Sequence, residues 1–127
     1  MKSIIRIVVV GAAAAVLATA MPTSAFAEDV HVDSRDYGAR ATWRPYGDHL
    51  EITDLEKDGH SAIGGYQMGS DTYYYWNTSG QGTTRYVNLN LPENRAVGIA
   101  AATGDYQGTP TGGLRWSTLA VANGYTS

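Results

Sequence analysis

Residues 83–91 read Thr-Thr-Arg-Tyr-Val-Asn-Leu-Asn-Leu. Apolar side chains occupy every second position from Val87 to Leu91, with polar side chains between them. A period of two is typical of a β-strand that buries one face and exposes the other. The Pro-Glu-Asn sequence at 92–94 follows directly and favours a turn. This stretch therefore predicts a half-buried strand in an antiparallel sheet.

Turn-forming residues divide the rest of the chain about every eight to twelve residues, which is the spacing of a β-sandwich or barrel. Together with 83–91, the predicted strands are Arg40–Pro45, His49–Thr53, Ser61–Met68, Thr72–Asn77, Arg95–Thr103 and Leu114–Val121. Seven short strands at this spacing predict an all-β domain. We expect an immunoglobulin-like or fibronectin type III-like β-sandwich over residues 39–127.

The segment Pro92–Ala102 allows two interpretations. A proline at its start, four alanines and Gly104 as a stop signal would suit a short helix. An interior glycine, with Val97 and Ile99 two positions apart, favours a strand. We expect the strand, Arg95–Thr103, and keep the helix as the alternative.

The first 27 residues have the organisation of a secretory signal peptide. Lys2 and Arg6 form a short basic region, and the uncharged apolar run Ile7–Met21 follows it. Residues 25–27, Ala-Phe-Ala, fit the small-x-small pattern of a signal peptidase site, so we expect cleavage after Ala27. The apolar run is shorter than the roughly 20 residues of a membrane-spanning helix. The sequence thus predicts a secreted, extracellular protein, exported by the general secretory pathway and without a membrane anchor in its mature form.

The predicted mature chain is acidic and free of cysteine. Without Lys2 and Arg6, seven Lys and Arg residues stand against twelve Asp and Glu residues, a net charge of −5. Nucleic-acid affinity comes largely from basic contacts with phosphates, so this charge argues against a nucleic-acid partner. Because there is no cysteine, no disulfide can stabilise the domain, and its stability must come from burial of apolar groups.

Residues 28–38 lie between the predicted cleavage site and the first predicted strand. Four of them are acidic, and their apolar periodicity is weak. We expect a flexible, partly disordered lead-in at this place. The predicted organisation is a signal peptide over 1–27, a lead-in over 28–38 and one β-sandwich over 39–127.

Three stretches of the chain carry a resemblance to known proteins. They are Ala-Thr-Trp-Arg-Pro-Tyr-Gly-Asp at 41–48, Ile-x-Asp-x-x-x-Asp-Gly-x-Ser-Ala at 52–62, and Trp-Asn-x-x-Gly-x-Gly-Thr-Thr at 76–84. In these stretches the chain resembles small secreted β-sandwich proteins of actinobacteria (Streptomyces type), whose function is unassigned. The resemblance implies a bacterial extracellular protein and carries no catalytic signature.

Hydrolytic chemistry finds little support in the sequence. A serine nucleophile needs a histidine within hydrogen-bond reach and a carboxylate behind it. The histidines are His31 in the lead-in, His49 on the exposed face of a strand, and His60 after a turn. There is no Gly-x-Ser-x-Gly sequence. We expect no enzyme, and a small hydrolase that uses His49, His60 and Asp58 is the least favoured alternative.

The loop at 54–59 reads Asp-Leu-Glu-Lys-Asp-Gly. Asp54, Glu56 and Asp58 before a glycine imitate the start of an EF-hand loop and are a weak calcium candidate. The position that should hold a bidentate Glu is Gly65, and the flanks predict strands rather than helices. An Asp-Gly hairpin turn is therefore favoured, and we expect no cofactor and no metal.

The strongest indication of a binding surface is aromatic. Residues 73–76 read Tyr-Tyr-Tyr-Trp, and strand alternation places Tyr73 and Tyr75 on one face. We expect Trp76 to be buried with the other two tryptophans, and Tyr73 and Tyr75 to be more exposed. Exposed rings on a stiff sheet can stack on sugar faces or anchor a protein, although ordinary cross-strand packing also uses such rings.

The predicted ligand-binding residues are Tyr73, Tyr75, Tyr46 and Arg44. A second candidate surface is the polar face of the strand at 83–91, which consists of Tyr86, Asn88 and Asn90. We expect a secreted, non-enzymatic binding or interaction module whose partner is an extracellular glycan, as in a cell wall, or a secreted protein. The main alternative is a proteinaceous inhibitor of a secreted hydrolase, which would present the loop Gly104–Gly113 with Thr-Pro-Thr at its centre.

Overall fold

The computed structural model describes residues 27–127, which form eight β-strands and no helix. The strands are β1 (Val30–Asp33), β2 (Ala39–Arg44), β3 (His49–Asp54), β4 (Ser61–Met68), β5 (Asp71–Asn77), β6 (Thr84–Asn88), β7 (Ala96–Gly104) and β8 (Leu114–Tyr125). Sheet I has the order β1-β2-β3-β6, and sheet II has the order β5-β4-β7-β8. Neighbouring strands are antiparallel throughout. The predicted all-β sandwich is confirmed.

The strand predictions agree with the structure to within a few residues at each end. The prediction for β4 has the same bounds as the observed strand. The strand predicted at Arg95–Thr103 is confirmed as β7, so the helix alternative for 92–102 is wrong. The reason is tertiary: Val97 and Ile99 point into the core, and β7 is hydrogen-bonded on both sides, to β4 and β8.

The expectation of a flexible lead-in at 28–38 is corrected by the structure. Residues Val30–Asp33 form β1, in which Val30 is opposite Trp43 and Asp33 is opposite Arg40. The guanidinium Nε of Arg40 lies 2.7 Å from Oδ1 of Asp33. An edge strand held by backbone pairing and an ion pair needs little apolar periodicity, which is why the sequence pattern missed it.

The predicted signal peptide at 1–27 lies outside the described residues, except for Ala27. Between residues 27 and 127 there is no helix long and apolar enough to cross a membrane.

The main core lies between the two sheets. Trp43, Leu50 and Ile52 of sheet I and Val97 and Ile99 of sheet II are completely buried there. The sheets come so close at Gly64 of β4 that a Cβ atom on this residue would overlap Ile52. Alternation along β4 then turns the two neighbours of Gly64 to the opposite face of sheet II.

The outer face of sheet II carries a second hydrophobic cluster. The central strands of sheet II, β4 and β7, have mostly small residues on this face, and large side chains from the edge strand β5 lie over them. Tyr74 covers Gly65, and the Trp76 ring lies 2.9 Å from where a Cβ atom of Gly104 would be. Members of this outer cluster are Ile63, Tyr74, Trp76, Ala100, Ala102 and Leu114, with Trp116 and Leu119 packed against them.

The sequence predicts that the three tryptophans share one core, and the structure shows that they do not. Trp43 is in the cluster between the sheets, whereas Trp76 and Trp116 are in the outer cluster. Trp76 is nearly buried, and Trp116 is only half-buried. The two faces of sheet II separate them, because β5 alternation sends Trp76 away from sheet I.

Asp36 joins the β1–β2 turn to sheet II. Its carboxylate accepts hydrogen bonds from the Ser34 and Thr103 hydroxyls at 2.6 Å each, and from the Gly38 backbone N–H at 3.2 Å. Nη1 of Arg115 lies 3.3 Å away. Burial alone would raise the pKa of Asp36, but these hydrogen bonds and the charge of Arg115 hold the pKa below its ordinary value.

Gly64→Ala should lower the free energy of unfolding by about 1–3 kcal/mol, because the added methyl group overlaps Ile52 where the sheets meet. Denaturant unfolding measures the effect in three variants: Gly64→Ala, Ile52→Val and the double variant that carries both changes. The double variant should lose less than the sum of the two single losses. Simple additivity would show that the two residues do not limit the approach of the sheets.

Asp36→Asn should destabilise the domain at pH 7 by about 1.5–3 kcal/mol, the range for hydrogen bonds to a charged group. Because the pKa of Asp36 is lower in the folded chain, folding favours the ionised carboxylate. This stabilisation is present at neutral pH and is lost as the pH falls below the ordinary value of 3.8 and through the folded value. Unfolding at pH 7 and pH 3 should show a variant defect that shrinks at low pH; a constant defect would contradict the assignment.

Candidate binding groove

The edge strand β5 forms one wall of a surface groove. Two cavities of about 290 and 430 Å³ lie along this strand. Residues 72–76 of β5 line one side, and Tyr106 with residues 110–111 lines the other. Thr78 and Arg85 lie at one end. The two cavities have Tyr74, Tyr75 and Pro110 in common in their linings, and we call them together the β5 groove.

The β7–β8 loop, residues 105–113, is fixed as the second wall by contacts with Trp76. The indole Nε1–H of Trp76 donates to the backbone carbonyl of Pro110 at 2.8 Å. The Tyr106 ring lies 5.1 Å from the Trp76 ring, centroid to centroid. At its base the loop is closed by a hydrogen bond from the Asp105 N–H to the Gly113 carbonyl at 3.0 Å, and Gly113 has a φ of 84° there. A residue with a side chain would be strained at that position.

Three tyrosines form a stack at the margin of sheet II that faces sheet I. Tyr66 lies between Tyr73, at a ring distance of 5.2 Å, and Tyr75, at 6.4 Å with nearly parallel planes. Burial, with the nearby phenols of Tyr75 and Tyr73, raises the pKa of Tyr66 to about 12. Tyr73 is 47% exposed, and Tyr75 is half-buried. The stack fixes the two groove tyrosines on a rigid support.

Arg85 lies at the end of the groove near Thr78. Its Nη1 donates to the Trp76 carbonyl oxygen at 2.7 Å, and its guanidinium carbon is 5.7 Å from the centre of the Tyr75 ring. The second distance is within the range of a cation–π interaction. Among the described residues that line the groove, Arg85 is the single charged one.

The structure brings two of the four predicted ligand-binding residues into the groove, Tyr73 and Tyr75. Tyr46 and Arg44 lie in or beside sheet I and line neither cavity. Arg44 is held at 2.7 Å by both Glu51 and Asp29. Tyr46 is 71% exposed in the β2–β3 turn. Strand alternation does not reveal which sheet a strand joins, so the sequence could not separate these two residues from Tyr73 and Tyr75.

The second candidate surface lies on sheet I, away from sheet II. Tyr86 and Asn88 are exposed on β6, where they are opposite Glu51 and His49. Tyr86 is 65% exposed. Asn90 is also exposed, but it follows the end of β6. None of the three lines the β5 groove.

Two histidines lie on sheet I, and the third lies in the loop before β4. His31 is exposed on β1, and His49 is half-buried on β3. His60 Nδ1 lies 2.9 Å from Oδ1 of Asp105, and the backbone N–H of His60 donates to Asp58 at 2.9 Å. His60 is thus engaged by acidic residues of two loops, and the structure does not bring His49 to it.

The calcium candidates line one cavity but differ in burial, and they are not arranged to hold a metal ion. Asp54 is buried at the end of β3, whereas Glu56 and Asp58 are exposed in the following loop. The Asp54 carboxylate accepts a hydrogen bond from the Glu56 N–H at 3.3 Å, and burial raises its pKa. Among residues 27–127, no group of three or more His, Asp or Glu side chains is arranged to hold a metal ion.

Sequence reasoning missed Arg85, Tyr106 and Pro110 as groove residues. For Arg85 a signal was present: it has the same parity as Val87 in the strand, so a charged side chain stands on the apolar face. No such signal exists for Tyr106 and Pro110, because their positions depend on how the loop folds back over Trp76.

Comparison with protein-family models, with curated proteins and with solved structures finds no match for this chain. The geometry of the groove is therefore the basis for a functional assignment.

Trp76→Phe should loosen the β7–β8 loop, because it removes the indole donor to Pro110 but keeps an aromatic ring. We expect faster hydrogen exchange at the amides of 105–114 and a stability loss of about 0.5–1.5 kcal/mol. Trp43→Phe is the matched control, since it removes a comparable bond from Nε1 to the Tyr125 carbonyl at 3.0 Å, away from the loop. Equal exchange of the loop in both variants would contradict the role given to Trp76.

Proposed function

We propose that the mature domain is a secreted, non-enzymatic binding module that holds an extracellular glycan chain in the β5 groove. The observation that carries this proposal is the groove itself, with exposed aromatic rings on both walls and one guanidinium at its end. The predicted signal peptide at 1–27 and the resemblance to secreted actinobacterial proteins support an extracellular site of action.

The chemistry of the groove suits a sugar. Pyranose rings present apolar C–H faces, which pack on aromatic rings, and hydroxyl groups, which need polar partners. Tyr73 and Tyr106 are 47% and 54% exposed, so each offers ring surface from one wall. Thr78, Thr111 and Arg85 supply polar groups along the same groove. Apolar rings with a few directed polar groups are the usual composition of a small-molecule or glycan site.

The shape of the groove favours a chain over a single sugar. The segment of β5 that lines it, residues 72–76, is about 13 Å long at the usual rise of a strand. The rings are also fixed before binding, by the stack on Tyr66 and by the contact of Tyr106 with Trp76. Side chains that are already ordered lose little conformational entropy when a ligand arrives.

Tyr73→Ala and Tyr106→Ala should each weaken glycan binding about tenfold, which corresponds to about 1.4 kcal/mol. The measurement is affinity electrophoresis or co-sedimentation of the domain from Glu28 onward against a panel of plant and bacterial wall polysaccharides. Tyr86→Ala is the matched control, because Tyr86 is similarly exposed but lies on the outer face of sheet I. Thermal melting of each variant verifies that the fold is kept.

Two results would overturn this assignment. In the first, the folded wild-type domain is retained on none of the polysaccharides of the panel. The other is a loss of binding in Tyr86→Ala with none in Tyr73→Ala or Tyr106→Ala, which would move the site to the polar face of sheet I.

A second candidate function is inhibition of a secreted hydrolase by the β7–β8 loop. The observation in its favour is that residues 105–110 are exposed while the loop is fixed by Trp76 and closed at its base. A preordered, exposed loop reduces the entropic cost of insertion into an enzyme cleft. Titration of the domain against a panel of secreted hydrolases tests it, and unchanged activity across the panel would remove it.

A further inference from the structure

We propose that the glycan in the β5 groove is acidic, and that Arg85 recognises its carboxylate groups. This inference rests on the glycan-binding function proposed above and names the class of sugar, a uronic acid polymer.

The position of Arg85 is fixed by the fold. In the β3–β6 pairing Arg85 is opposite Ile52, so its side chain leaves β6 on the face that turns toward sheet II. β6 is the edge of sheet I and β5 is the edge of sheet II, so the guanidinium reaches the groove. The Trp76 carbonyl at 2.7 Å and the Tyr75 ring hold it there.

Arg85 differs from the other ordered arginines in its partners. Three arginines of the described chain are paired with carboxylates: Arg40 with Asp33, Arg44 with Asp29 and Glu51, and Arg115 with Asp36. Arg85 has no carboxylate partner within residues 27–127. Arg35, Lys57 and Arg95 also form no such pair, but none of them lines the β5 groove. In a domain with twelve acidic residues, the groove thus retains a cation without a counter-ion.

The unused donors of Arg85 have the geometry of a carboxylate receptor. One N–H of Nη1 is taken by Trp76, while Nε and Nη2 have no partner among the described residues. A guanidinium edge binds a carboxylate through two parallel hydrogen bonds, which a neutral hydroxymethyl group cannot accept in the same way. A uronic acid that stacks on the aromatic rings can therefore place its carboxylate at Arg85.

The local charge is compatible with an acidic ligand. Neither cavity of the groove is lined by Asp or Glu. Asp105, next to Tyr106, is held by His60 at 2.9 Å. Acidic residues 54, 56 and 58 line a separate cavity on the far side of Thr78. At 0.15 M salt the Debye length is about 8 Å, so the more remote negative charges are largely screened.

Polygalacturonate and its methyl ester test the inference, because the two polymers differ only in whether the carboxylate is free. The wild-type domain should bind the free acid at least about tenfold more tightly at 0.15 M salt. Arg85→Gln should reduce binding of the acid to the level of the ester, and Arg85→Lys should be intermediate. Arg95→Gln, which loses the same charge outside the groove, should bind like the wild type.

The outcomes separate this inference from the proposed function. Equal binding of the acid and the ester by the wild-type domain overturns the acidic ligand and leaves glycan binding intact. If the wild-type domain is retained on no polysaccharide at all, both the acidic ligand and the glycan-binding function are overturned. An equal loss in Arg85→Gln and Arg95→Gln assigns the effect to net charge and overturns the role of Arg85. If Arg85→Gln melts below the assay temperature, Arg85→Lys and the two polymers on the wild-type domain decide.

Discussion

Four small residues on the outer face of β4 and β7, beside Ile63, are the constraint from which the rest of sheet II follows. Gly65, Ala100, Ala102 and Gly104 leave room over that face for large side chains. Large rings from β5 and β8 fold inward and cover it, so one sheet has apolar packing on both faces. This arrangement buries additional hydrophobic area in a domain of about a hundred residues that has no disulfide.

The same constraint places the groove. The Trp76 ring packs over Gly104, which leaves room for it, and the indole N–H reaches the β7–β8 loop. The loop is drawn toward the edge of sheet II and becomes the wall opposite β5. Meanwhile Tyr73 and Tyr75, on the alternate face, stack with Tyr66. All four aromatic residues of β5 therefore line the groove, and two of them also cover the outer face of sheet II.

The arginines of the described chain differ in the kind of group that holds them. Three of the six arginines in the described chain are paired with carboxylates, and two of them fix β1 to β2 or the β1–β2 turn to sheet II. Such exposed and half-exposed pairs add little stability individually. Arg85 is held instead by a carbonyl and an aromatic ring, which fix its position without neutralising it. A fixed and un-neutralised guanidinium is suited to recognition more than to stability.

Sequence alone determined the all-β class, the seven strands β2–β8 and the exposure of Tyr73, because alternation and turn residues are local properties of the chain. It did not determine strand β1, whose pairing with β2 comes from an edge hydrogen-bond ladder and the Arg40–Asp33 pair. Nor did it determine which strands share a sheet: Arg44 is on sheet I and Tyr73 is on sheet II. The groove is a tertiary product: Arg85 of one sheet, Trp76 of the other and Pro110 of a distant loop meet only when the two sheets pack.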